Sequence, residues 1–116
     1  MLHVIVYGFP KTSQKKLAKC CQAIRATPGH VSGVQIPPHR VAVSFLVDQF
    51  NLGLGEEVLV YVHGLSATCL SPPTREQKYN LCHSIVVALQ NHKPRNCKFI
   101  QVRTCQADPE EGYSEG

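Results

Sequence analysis

The sequence predicts an α/β (α+β) chain built from two β-α-β repeats, with a four-stranded mixed sheet carrying two helices on one face. Three observations predict it. Four short runs are apolar and rich in β-branched side chains, two longer segments carry apolar residues at helical spacing, and the order strand, helix, strand occurs twice. A chain of 116 residues suits one domain, since domains most often hold about 100–150 residues. Repeat one is expected over about 1–48 and repeat two over about 56–105, with a tail over 106–116.

Leu2 to Tyr7 reads as the first strand, ended by Gly8 and Pro10. Leu17, Cys20, Cys21 and Ile24 recur at i, i+3, i+4 and i+7, the stripe of an amphipathic helix that starts near Thr12 or Ser13. Thr27 to Pro38, with two glycines and three prolines, reads as a loop. Arg40 to Val47 is the second strand, with Val41, Val43, Phe45 and Val47 on one face. Asp48 to Gly55 forms a turn, and the programme then repeats. Val58 to Val62 is the third strand, His63 to Pro73 a connection, and Thr74-Arg75-Glu76-Gln77 fits a capping box that opens the second helix. Cys82, Ile85, Val86 and Leu89 form its expected stripe, Asn91 to Asn96 breaks it, and Cys97 to Thr104 is the fourth strand. In each repeat the helix is long enough for a right-handed crossover, so the two strands of a repeat are expected to lie parallel.

Composition excludes several classes of function. Apolar residues make up 43% and charged residues 17% of the chain, so a packed core is expected rather than wholesale disorder. No run approaches the roughly 20 apolar residues of a membrane span. The start Met1-Leu2-His3-Val4-Ile5-Val6 lacks the basic region and long apolar run of a secretory signal, so a cytoplasmic location with reduced thiols is expected. Cys20, Cys21, Cys69, Cys82, Cys97 and Cys105 contain no CxxC pair and read as small core hydrophobes; no metal and no cofactor is expected. The net charge of +4 is uneven: residues 1–54 hold six Lys/Arg against one acid, and 55–116 hold six against seven. Lys11, Lys15, Lys16 and Lys19 cluster at the first helix without interleaved aromatics, which reads as a solvated face; no nucleic-acid partner and no membrane partner is expected. No P-loop, dinucleotide fingerprint or Ser/His/Asp motif is present.

Residues of the second half carry a resemblance. Thr74-Arg75-Glu76-Gln77-Lys78, followed by Leu81 and an aliphatic helix, then a strand, then Glu111-Gly112-Tyr113-Ser114-Glu115-Gly116, resembles the tautomerase superfamily. That group includes 4-oxalocrotonate tautomerase, 5-carboxymethyl-2-hydroxymuconate isomerase and macrophage migration inhibitory factor. The resemblance implies the two-repeat layout already read, assembly as a homotrimer with sheets facing inward, and binding of a small carboxylate or keto acid between subunits. It also implies keto-enol chemistry, which needs a base that is neutral near pH 7 and cations that hold a carboxylate and steady an enolate.

The family's base is the secondary amine of an N-terminal proline. Position 2 here is Leu, so the corresponding base is the α-amine of Met1, whose reference pKa is about 7.7–8.0. Arg40 opens the second strand of repeat one, where the family places its substrate arginine, and Lys98 is its counterpart in repeat two. Tyr113 falls where the family places an aromatic wall of the pocket. His3 is counted with the substrate-binding residues, and it approaches His39 if the first two strands neighbour one another. Two other readings use the same elements: a non-catalytic trimeric assembly protein, and a dimeric ferredoxin-like ligand-binding module, whose βαββαβ order is identical.

Overall fold

The computed structural model describes residues 1–9, 12–46, 57–69, 71–92 and 99–105. Its strands are β1 (Leu2–Tyr7), β2 (Val41–Leu46), β3 (Glu57–His63) and β4 (Phe99–Cys105); its α-helices are α1 (Gln14–Ala26), a single turn α2 (Leu65–Thr68), and α3 (Arg75–His92). The sheet order is β2-β1-β3-β4. Within each repeat the strands pair in parallel, Leu2 with Val41 and Glu57 with Phe99, while β1 and β3 join the repeats antiparallel, His3 opposite His63. The parallel pairs are those the two crossovers require, and the antiparallel joining of β1 with β3 makes the four-stranded sheet mixed.

Alternation in the strands sets the core. Leu2, Val4 and Val6 of β1 and Val58, Val60 and Val62 of β3 are at most 1% exposed, and they meet Cys20 and Ile24 of α1 and Leu81, Ile85 and Leu89 of α3. Each such side chain contributes about 1.5–3 kcal/mol by leaving water. Ser13 caps α1 by accepting from the Lys16 amide, as the expected start required.

The buried stripe of α3 shares Ile85 and Leu89 with the expected one and differs at two positions. Leu81, Ile85, Ala88 and Leu89 are buried, whereas Cys82 and Val86 are half-buried. Two apolar phases coexist on this helix, and Leu81 fills more core volume than Cys82. The cysteines also divide. Among the described cysteines only Cys20 is fully buried, and its thiol is pushed up to about 11, first by burial and second by Cys21. Cys21, Cys69, Cys82 and Cys105 are half-buried and free, and Cys97 lies outside the described residues.

The capping box at α3 is complete. The Thr74 amide donates to Gln77 Oε1 at 2.9 Å, and the Gln77 amide donates to Thr74 Oγ1 at 3.1 Å. The same glutamine packs against Gly33, whose φ is +84° and whose missing Cβ leaves the space that the Gln77 amide occupies. One residue thereby caps the start of α3 and fastens the loop after α1 to it. Gly33→Ala is expected to cost about 1–3 kcal/mol in urea unfolding, combining left-handed strain with displacement of Gln77. In a Gln77→Ala background the steric part is absent, so Gly33→Ala should cost less there than in the wild type, and an equal cost in the two backgrounds would count against this account.

The connection expected as plain loop over Thr27 to Pro38 begins with a 3₁₀ turn, Thr27–His30, and runs into another, Pro38–Arg40. The second carries Arg40 to the start of β2. Both helices lie on one face of the sheet. The other face is free of helix among the described residues. Its rows are Ala42, His3, His63, Cys105; then Ser44, Ile5, Tyr61, Arg103; then Leu46, Tyr7, Leu59, Gln101. Tyr7 and Leu46 are 39% and 44% exposed, and the rings of Tyr7 and Tyr61 meet edge to face.

Candidate functional site

Strand register brings three chain segments to one end of the sheet. Leu2 pairs with Val41, so Met1 and Arg40 flank the same end of the β1-β2 pair. His3 faces His63 across β1 and β3, which delivers Gly64 and α2 to that end as well. Gly64 has φ +81°, and a Cβ there would stand 2.8 Å from the Met1 carbonyl oxygen; the glycine lets the first residue lie directly on the turn into α2.

A cavity of about 350 Å³ opens here, lined by residues 33–37, Arg40, Thr68 and Ser71. Val34 and Ile36 are buried. Arg40 is exposed and, among the described residues that line the cavity, is the single cation; none of them is a carboxylate. Its turn is braced by Arg25, whose Nε and Nη2 donate to the Pro38 carbonyl at 3.1 and 3.0 Å. Thr68 is 7% exposed, and its Oγ1 donates to the Gly64 carbonyl at 2.7 Å. Gln35 has φ +44°, the one non-glycine residue in the left-handed region among those described.

The expected site residues separate on this frame. Arg40 lines the cavity. Met1 stands at the same strand end, but its side chain is 72% exposed and it is not among the lining residues. His3 lies on the helix-free face, where its Nε2 is 2.9 Å from Ser44 Oγ, so its neighbours are Ser44 and His63 rather than His39. Lys98 and Tyr113 lie outside the described residues. The strand that Lys98 precedes begins at the end of the sheet opposite Arg40, because Phe99 pairs with Glu57. Gln35, Thr68 and Ser71 were not singled out by the sequence. Gln35 reaches the cavity within the loop that leads to Arg40, whereas the antiparallel joining of the repeats is what brings Thr68 and Ser71 there. Among the described residues, no group of three or more His, Cys, Asp or Glu is placed to hold a metal ion, and no helix is long and apolar enough to cross a membrane.

With this geometry in place, comparison with solved structures identifies the fold. A symmetric trimer of fused 4-OT aligns over 99% of this chain and 94% of its own, with 19% identity and a TM-score of 0.63. Macrophage migration inhibitory factor from Giardia lamblia aligns over 90% and 98%, with 12% identity and a TM-score of 0.62. Malonate semialdehyde decarboxylase aligns over 97% and 89%, with 13% identity and a TM-score of 0.57. No family model matches the chain, and no curated protein matches it in sequence. The chain therefore has the fold of the tautomerase superfamily, at identities where the fold is what is shared.

Proposed function

We propose that this chain is a tautomerase-like protein that binds a small carboxylate or an enolisable keto acid at a subunit interface and works as a weak or atypical keto-enol isomerase. One observation carries the reading: among the described residues, those that line the cavity at the Met1 end of the sheet include one cation, Arg40, and no acid. A guanidinium in that place pairs with a carboxylate in two parallel hydrogen bonds and steadies negative charge as an enolate develops. The α-amine of Met1 at the same strand end is the base that this reading uses. Lys98 and Tyr113 are assigned to the pocket's completion by a neighbouring subunit, and His3 to the interface itself.

A homotrimer is proposed on two grounds. The helix-free face presents Ile5, Tyr7, Leu46, Leu59 and Tyr61, apolar surface that a monomer would leave in water. Solved structures of the same fold include symmetric trimers of fused 4-OT. A non-catalytic assembly protein is the second reading, favoured by the exposure of Met1: an amine in water is not held in the dry, oriented setting a proton acceptor needs.

The test is ketonisation of enol phenylpyruvate followed by absorbance. The protein is expected to accelerate it over buffer, and Arg40→Ala to lower the rate constant at limiting substrate by about tenfold or more, from loss of a charged hydrogen-bond pair. No acceleration over buffer would leave the non-catalytic reading. Unchanged phenylpyruvate affinity in Arg40→Ala would remove Arg40 as the anchor.

A further inference from the structure

The hydroxyl of Thr68 has one proton, and it is directed at the Gly64 carbonyl, which accepts from it at 2.7 Å and from the Thr68 amide at 3.1 Å. Toward the cavity Thr68 Oγ1 therefore has lone pairs to offer and no donor. A carboxylate, which is acceptor-only when ionised, meets it unfavourably; a ligand hydroxyl can donate to it. Thr68 is 7% exposed, so once a ligand fills the cavity little water is left to relieve the mismatch. Gln35, on the adjoining wall, supplies an uncharged amide that both donates and accepts. Its left-handed backbone is a strain that a glycine would not bear, and such strain concentrates where a side chain serves a ligand.

We propose that the cavity selects a small monocarboxylate bearing a hydroxyl away from its carboxylate, and discriminates against dicarboxylates, with Arg40 taking the carboxylate and Thr68 and Gln35 the hydroxyl. This rests on the carboxylate-binding reading of Arg40 and adds the chemistry of the ligand's other end. It makes Gln35 and Thr68 specificity-determining residues.

The test uses a pair of acids on one carbon skeleton, 5-hydroxy-2-oxopentanoate and 2-oxoglutarate, titrated calorimetrically into the full chain. The expected result is about tenfold tighter binding of the hydroxy acid, the size of one buried acceptor left facing a carboxylate. Gln35→Gly is expected to shrink that preference by at least threefold while leaving the melting temperature equal or higher, since glycine relieves the backbone strain. Gln35→Lys is expected to shift the preference toward 2-oxoglutarate, and Thr68→Ser to retain the wild-type ratio.

Equal binding of the two acids by the wild type, or an unchanged ratio in Gln35→Gly, overturns the inference while Arg40-dependent binding of both acids keeps the carboxylate reading intact. Binding of both acids that survives Arg40→Ala, or no binding of either acid by the wild type, overturns that reading, and this inference falls with it.

Discussion

Ile5→Asp is expected to yield a folded chain that no longer self-associates. Ile5 sits in the middle row of the helix-free face, between Ser44 on β2 and Tyr61 on β3, with Tyr7 two residues along and Leu46 and Leu59 beside it. Its side chain points away from the packed core, so the charge can be hydrated in a lone chain and stability should change little. In an assembly that covers this face, every copy would have to bury an unpaired carboxylate against tyrosine and leucine, at a penalty of several kcal/mol for each. Light scattering coupled to size exclusion should then report the wild type near three times 12.8 kDa and Ile5→Asp near 12.8 kDa. Among the described residues the one Lys or Arg in the row of Ile5 is Arg103, two strands away, so rescue by an ion pair with it requires a shift of about two strand spacings. A variant that keeps the wild-type mass would show that the assembly uses another surface, and a monomeric wild type would remove the trimer altogether.

What could be read from residues alone follows the range over which each signal acts. The capping box was legible because Thr74 and Gln77 close it within one turn, and both hydrogen bonds form. The strands were legible from alternation, and the two faces of β3 divide as the pattern predicts, Val58, Val60 and Val62 inward and Leu59 and Tyr61 outward. The stripe of α3 was misassigned because Leu81, Cys82, Val86, Val87 and Leu89 are apolar around more than half of the helix, and volume rather than period decided which phase faces the sheet. The one-turn helix Leu65–Thr68 is too short to show a period at all. Arg40 could be placed because it directly precedes its strand. Thr68 and Ser71 could not, since they lie about 30 residues further along and reach the cavity only through the pairing of β1 with β3. An element string leaves that pairing open.

Position 2 joins the fold to the question of chemistry, and it carries the largest stability effect expected of a single substitution near the site. Leu2 is wholly buried and belongs to the same cluster as Val4, Val62 and Ile85. Removing its branched end leaves a void that the sheet cannot collapse into, because β1 is held on both sides, to Val41 and onward along β2 and to β3 from His3. Leu2→Ala should therefore cost about 2–5 kcal/mol, and the near-isosteric Leu2→Met under about 1.5 kcal/mol, both measured as shifts of the urea midpoint at constant slope. The same packing bears on Met1, whose carbonyl lies on Gly64 while its side chain stays in water. In this chain the second residue is a core side chain first, and it fixes where Met1 can stand. Leu2→Ala should accordingly weaken ligand binding at Arg40 less than it weakens the fold, since Arg40 is held independently by the Arg25 brace on its own turn. A loss of stability below about 1 kcal/mol in Leu2→Ala would mean that the site end of β1 is not part of the core, and that the placement of Met1 is set by something other than Leu2.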